Sequence, residues 1–354
     1  MNKWFSRYLF CFLVFFMGCN QNNQPSMEKP PGADYDGQAF TFQEVGDGIY
    51  HIKGTGVLSV GCNSTLIVNE RDAVLVDSHI SPAAMWALFT EMTAITDKPI
   101  RYVINTHFHF DHVHGNQMFP EDVKIISHTY TRDMIAAGNS KRGRSYDAFI
   151  GRIPDRISEL EQQLAAATDD STKSVFRDRI RLQKNYKEAT DAVMPRAPNE
   201  RFTERLQYKF GDRLIQILFF GRGHTGGDAV VFLPEEKILI TGDLLSTGIS
   251  YLGDAYPEEW VRTLEKLKKL DFETILPGHG DPIEDRKKID HFQAYLTDFW
   301  KQAVQMRKDG VEADEAAKRI DMTAHASHYP RIKEAGVSIF GVQRVYELME
   351  GTAK

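Results

Sequence analysis

Cysteine is scarce in this chain: Cys11, Cys19 and Cys62 are the three in 354 residues. That is too few for the disulfide framework that stabilises small exported domains, so stability has to come from a buried core. At 42% hydrophobic composition there is enough chain for one large domain or two smaller ones. Basic blocks are missing too, and with a net charge of -6 nucleic acid is excluded as a partner. Long apolar runs are absent except near the start, where Tyr8 to Met17 is too short to span a bilayer stably.

That short run follows Lys3 and Arg7 and precedes Gly18-Cys19, which is the pattern of a signal peptide over residues 1–18. Phe16-Met17-Gly18-Cys19 resembles the lipobox of bacterial lipoproteins, in which the new N-terminal cysteine is acylated. The polar, proline-containing residues 19–38 read as a flexible tether. The expectation is an exported protein of the bacterial cell envelope, anchored to the membrane through Cys19 and facing the periplasm. Cys11 leaves with the signal, acylation blocks Cys19, and Cys62 remains as a lone thiol with no partner for an internal disulfide. Placed before the strand-like Thr65-Leu-Ile-Val68, it reads as a buried small hydrophobe.

Strand signals cover Phe40 to Ile52, Thr65 to Val68 and Ala73 to Val76, the last ending at Asp77. Ser81-Pro82 supplies a cap and first turn for a helix to about Ile95. Ile153 to Ala192 is charged and amphipathic, and reads as a helical hairpin inserted at about residues 131–200, a solvated cover or a homodimer contact. Strands resume over Arg201 to Tyr208 and Leu214 to Phe220, around a Gly211-Asp212 turn, and again at Ala229 to Leu233 and Lys237 to Thr241. A helix from Pro257 to about Leu270 leads to the strand Thr274 to Leu276, and from Pro282 the tail is helical, with breaks at Gly310 and Gly336.

The stretch that carries chemistry is Thr106-His-Phe-His-Phe-Asp-His-Val-His-Gly-Asn116, leaving the buried strand Ile100 to Ile104. Alternation puts His107 and His109 on one side of an extended segment, and Asp111 and His112 follow once the direction changes. Donors converging from two directions suit two metals. Three later loops, holding His224, Asp243 and His279, each offer one ligand-type side chain at a strand end. His114 and His128 are weaker candidates, the first either beside the site or solvated, the second structural at a helix start. Tyr251 and Ser327-His328-Tyr329 are candidates to line a pocket.

With His107-x-His109-x-Asp111-His112 followed by His224, Asp243 and His279, the sequence resembles the metallo-β-lactamase superfamily over roughly residues 40–130 and 200–300. The resemblance implies an α/β fold, the αββα sandwich of two mixed sheets covered by helices, over residues 39–308, with residues 309–354 as a helical C-terminal extension. It implies that His107, His109 and His224 hold one metal, that Asp111, His112 and His279 hold a second, and that Asp243 bridges them. Asp77 would orient the ligand loops without binding metal. Zinc, two ions per chain, suits the imidazoles, while two carboxylates leave iron or manganese open. Two divalent ions, two carboxylates and one hydroxide sum to about +1, which suits a developing oxyanion. The implied function is a hydrolase for a small molecule with an ester, thioester, lactone or lactam carbonyl, Asp111 orienting the nucleophile. Zinc β-lactamases carry a cysteine where Asp243 stands and a drug-gripping lysine where Ser246 stands. The alternatives are a mononuclear-iron sulfur dioxygenase and a non-catalytic envelope binding protein on the same fold; an intact set of costly polar groups counts against the latter.

Overall fold

The structure is a computed structural model that describes residues 28–352. The signal segment with Cys11 and Cys19 lies outside the described residues. Two sheets form the centre. The first holds β1 (Phe40–Gly46), β2 (Ile49–Gly54), β3 (Ser64–Val68), β4 (Ala73–Val76), β5 (Ile100–Ile104), β6 (Lys124–His128) and β7 (Glu200–Phe202), paired in chain order. The second runs β12-β11-β10-β9-β8, from β8 (Arg205–Phe210), β9 (Arg213–Phe219), β10 (Ala229–Leu233), β11 (Ile238–Gly242) and β12 (Thr274–Pro277).

Period-2 alternation assigns each strand's side chains to two different cores. In β4, Ala73 and Leu75 point to a helical layer, whereas Val74 and Val76 point to the gap between the sheets. In β10, Ala229, Val231 and Leu233 fill that gap from the other side, and Val230 and Phe232 face a second helical layer. Strands buried on both faces need cover, and their unbroken apolar composition is what such sandwiched strands require. Each fully buried leucine or isoleucine contributes about 1.5–3 kcal/mol.

The cover of the first sheet begins with α1 (Pro82–Met92), where the Ser81 hydroxyl accepts from the Ala84 N–H at 3.2 Å and Pro82 opens the helix. Next come α2 (Phe110–Val113), α3 (Thr129–Ala136) and α4 (Arg144–Phe149), then α5 (Ile153–Ala166) and α6 (Asp170–Asp191), which pair as the expected inserted hairpin. Ile153 and Ile150 root this insertion in the core beneath the sheet. The second sheet is covered by α7 (Pro257–Leu267), α8 (Lys287–Lys308), α9 (Ala313–Arg319) and α10 (Ile339–Glu350). Trp260 of α7 meets Phe292 of α8 edge-on at 5.1 Å.

Two local expectations change. The strand read over Arg201 to Tyr208 is two strands in different sheets, because at the break the Phe202 and Thr203 carbonyls accept from Thr129 Oγ1 and His128 Nε2 instead of continuing a ladder. Nor is the segment read as tether free along its length. Ala33 is buried against Ala83 and Ala189, and Asn185 donates to the Asp34 carbonyl. Glu91 then accepts from the backbone N–H groups of Ala39 and Phe40. Small apolar residues among the polar ones let this stretch dock on α1 and α6.

Parallel pairing aligns the outgoing ends of β4 with β5 and of β11 with β12. The loops that leave them therefore meet at one edge of the sandwich.

Candidate metal centre

Asp77 follows β4 with φ 63°, a left-handed conformation rarely adopted by a residue other than glycine. Its carboxylate accepts three hydrogen bonds of 2.8 Å, from the Thr106 N–H, the Thr106 hydroxyl and His112 Nδ1. One side chain thereby ties β4 to both ends of the histidine loop. His79, also at positive φ, supports the turn from below, with Nε2 2.9 Å from Ser64 Oγ and Nδ1 3.1 Å from the Cys62 carbonyl.

With Nδ1 committed to Asp77, His112 turns Nε2 into the site, 3.5 Å from both Asp111 Oδ2 and Asp243 Oδ1. His109 is set the other way round: Nε2 lies 3.0 Å from Asp254 Oδ2, and Nδ1 lies 2.9 Å from His224 Nε2. The donor atoms of His107, His109 and His224 all lie within 4.8 Å of one another, as do those of Asp111, His112 and His279, and those of His107, His112 and Asp243. Asp243 stands between the first two groups, with Oδ2 3.7 Å from His224 and 3.4 Å from His279. The fold thus brings together all seven residues singled out as ligands. Glycines permit the approach. A Cβ on Gly278 would sit 2.3 Å from Asp243 Oδ1, and one on Gly242, at φ 52°, would sit 2.4 Å from Thr106 Oγ1.

Whether the group fits a metal is decided by what its atoms lack. His107 Nε2, His112 Nε2 and Asp243 Oδ1 are buried and have no hydrogen-bond partner among the described residues. Stranding three such atoms costs about 1–3 kcal/mol each, more if charged. Cations bound at these atoms would remove the cost, and imidazole nitrogens with carboxylate oxygens are a zinc-compatible set. Electrostatics agree. Burial, then His112, His224 and His109, push His107 well below the ordinary histidine range, and burial with His109 takes His224 down to about 3, so both are neutral donors. Burial works against ionising Asp111 and Asp243, but His112 and His279 hold both carboxyls below their usual range. For the His112 cation burial is outweighed by Cys62 and by Asp111, Asp77 and Asp243. His279, partly exposed at the mouth, overcomes desolvation through Asp243 and Asp111 and rises to about 10.

Among the weaker candidates, His114 is buried against Phe110 and Tyr146 and is not solvated, while His128 caps α3 by accepting from the Tyr130 N–H. Tyr251 and Tyr329 line the cavity above the site, but His328 stacks on His291 at the surface. Cys62 is buried as expected and also lies beside Asp77 and His112. Sequence reasoning missed Asp254 and His79. Asp254 precedes a helix like any turn aspartate, and His79 belongs to no spaced motif, so neither carried a signal.

A family model described as the metallo-beta-lactamase superfamily matches residues 57–279. The linear primary-alkylsulfatase of Pseudomonas sp. (strain ATCC 19151) is 24% identical over 301 residues, covering 80% of this chain and 54% of that protein. The type 2 metallo-beta-lactamase of Bacillus cereus is 34% identical over 89 residues, 23% of this chain and 34% of that one. The chain therefore spans about half the length, or less, of the curated relatives it matches. Among solved structures, a metallo-beta-lactamase from Pontibacter korlensis superposes with a TM-score of 0.52 at 16% identity, covering 73% of this chain and 99% of that one. The DIM-1 metallo-beta-lactamase gives 0.50 at 17%, covering 73% and 97%. At these identities the likeness extends to the fold alone.

Proposed function

The chain belongs to the metallo-β-lactamase superfamily, and from that premise we propose that it is a metal-dependent hydrolase using two zinc ions. His107, His109 and His224 would hold one ion and Asp111, His112 and His279 the other, with Asp243 shared. The observation that carries this reading is the convergence of seven ligand-type side chains from four loops, with buried donor atoms of His107, His112 and Asp243 left without a hydrogen-bond partner among the described residues. Bound zinc supplies Lewis acidity and lowers the pKa of a water from about 16 to about 7. Asp111, kept ionised and lining the cavity, fixes the direction of the attacking water by accepting its hydrogen at a carboxylate oxygen. Asp77 and Asp254 hold the His112 and His109 rings against rotation.

The bond cleaved is the acyl bond of a carbonyl compound: an ester, thioester, lactone or lactam. Sulfate esters form a second reading, favoured because the alkylsulfatase likeness runs through 80% of this chain, where the β-lactamase of Bacillus cereus is matched by 23%. Lactams are expected to be poor substrates. Ser246, at the position where zinc β-lactamases carry the drug-gripping lysine, is buried with its hydroxyl 2.9 Å from Ser250 Oγ and offers no cation at that position.

The test is elemental analysis combined with a panel of lactam, lactone, ester, thioester, phosphodiester and sulfate-ester substrates. Two zinc equivalents and turnover of one class are expected, with metal and turnover both lost in Asp243→Ala. One reproducible equivalent of iron, or full activity in Asp243→Ala, would overturn the dinuclear reading. Penicillin turnover at the rate of the preferred class would overturn the argument from Ser246.

A further inference from the structure

Above the metal-ligand cluster lies a cavity of about 770 Å³. Apart from the ligand-set residues Asp111, Asp243 and His279, its charged lining residues are two arginines, Arg156 and Arg331. Neither guanidinium has an ion pair or a hydrogen bond to any described residue, whereas Arg144 pairs with Glu347, Arg213 with Glu236, and Arg286 donates to backbone carbonyls. Arginine stays protonated in proteins, so two cations, half-buried Arg156 and exposed Arg331, line this cavity without a direct ion pair to any described residue.

The two arrive by different routes. Arg156 stands on α5 of the inserted hairpin, and Arg331 follows Tyr329-Pro330 in the C-terminal extension. Neither belongs to the sandwich, yet the fold sets both on the space where a molecule bound at the cluster must lie. The same cavity has an apolar lining from Ile80, Phe110, Phe149 and Ile249 beside its polar residues. A second cavity of about 1140 Å³ shares Phe149, Ile249, Ser250, Tyr251 and Arg331 with the first. It is lined by Leu252, Phe299, Ala317, Met322 and Val337, with Asp314, Lys318, Lys333 and Glu334 as exposed charged residues.

We propose that this cavity selects amphiphilic anions, with Arg156 and Arg331 gripping a carboxylate or sulfate-type group while an apolar chain of the same molecule occupies the adjoining groove. The forked, planar guanidinium matches both head groups with paired hydrogen bonds. Phe149 and Ile249, common to both cavities, give the chain a continuous apolar path from head to groove. The proposal rests on the hydrolase reading only in naming the bound molecule a substrate; the anion subsite stands or falls by binding.

Calorimetric titration of the zinc-loaded protein with octanoate, octane-1-sulfonate and octan-1-ol tests it, on wild type, Arg156→Gln, Arg331→Gln and the double variant. Each substitution should weaken at least one of the two anions about tenfold, and the double variant about a hundredfold, as expected for losing charged hydrogen bonds. The anion that binds tighter identifies the head group. Octanol should bind more weakly than either anion to wild type. Anion affinity that survives the double substitution, octanol binding as tight as that of the anions, or no binding of any of the three overturns the proposal. Zinc content measured on each variant separates loss of the subsite from loss of the centre. A kinetic arm compares a neutral aryl ester with the same ester bearing a terminal carboxylate, and the ratio of their kcat/KM values should fall about tenfold per arginine. If wild type turns over neither these esters nor any class of the substrate panel while anion binding still depends on the arginines, the hydrolase reading fails and the anion subsite stands.

Discussion

Asp77 accepts from three donors in two segments of one loop, and an amide nitrogen in place of Oδ2 would meet both the Thr106 hydroxyl and His112 Nδ1 with an N–H instead of an oxygen, while the Thr106 N–H keeps its acceptor at Oδ1. Asp77→Asn should therefore free the His112 ring and lower metal affinity about 10- to 100-fold while the chain stays folded. Competition with a graded chelator measures this, and unchanged affinity would show that His112 needs no such anchor. Proton uptake offers a second check. In the metal-free chain His112 and His279 have pKa values above the ordinary 6.5, His279 to about 10, so both carry protons at pH 7. His107 and His224 lie below 6.5 and carry none. Since a ligand nitrogen must be deprotonated, metal binding at pH 7 should release protons from His112 and His279, and apparent affinity should rise with pH up to about 10. Calorimetry in buffers of different ionisation heat reads the proton count; an enthalpy independent of buffer would contradict it.

At the scale of elements, the centre depends on how closely strand ends approach. The Gly278 backbone closes on β11, where its N–H donates to the Gly242 carbonyl at 2.9 Å, and the space a side chain would need is filled by Asp243 and His112. Gly278→Ala should leave the sandwich intact but push Asp243 aside and lower metal content, by about one equivalent if two are normally bound. Circular dichroism with elemental analysis would show it, and full metal content would mean that the loop after β12 yields easily. The insertion behaves as an element with one rooted end. Ile153 is fully buried, while Val175 on α6 is 48% exposed. Ile153→Ala should cost about 2–5 kcal/mol in denaturant unfolding, against about 0.5 kcal/mol or less for Val175→Ala. A Val175→Ala loss as large as that at Ile153 would show that α6 buries this face against another surface, such as a second copy.

For the molecule as a whole, the envelope location remains a proposal that rests on Gly18-Cys19, outside the described residues. No described helix is long and apolar enough to cross a membrane. Acyl chains contribute about 0.8 kcal/mol per buried methylene, so a protein carrying two or more should sediment with membranes, and Cys19→Ala should release it or leave unprocessed precursor. Wild-type protein found entirely soluble with an unmodified N-terminus would end that reading. Even with an anchor, the free tether is shorter than residues 19–38, because the chain is already docked on α6 at Ala33 and Asp34.

How much was legible follows from the range of each interaction. Strands sandwiched on both faces announce themselves by continuous apolar runs, and metal ligands by donor types crowded into one loop or placed at strand ends, so strands interleaved with helices in two halves and the seven ligand candidates could be read residue by residue, while the αββα sandwich was implied by the family resemblance. Those signals are local. The break between β7 and β8 was not legible, because it depends on which strand each half finds as a partner across the molecule. The same holds for residues 30–38, whose fate was set by a groove between α1 and α6 that composition cannot describe. Asp254 acquires its role only because folding sets it 3.0 Å from His109 Nε2. Arg156 and Arg331, apart in sequence and on no motif, share a cavity for the same reason. Local chemistry is written in side-chain type and spacing, whereas convergence between distant segments is decided by the packing of the two sheets and their helical covers.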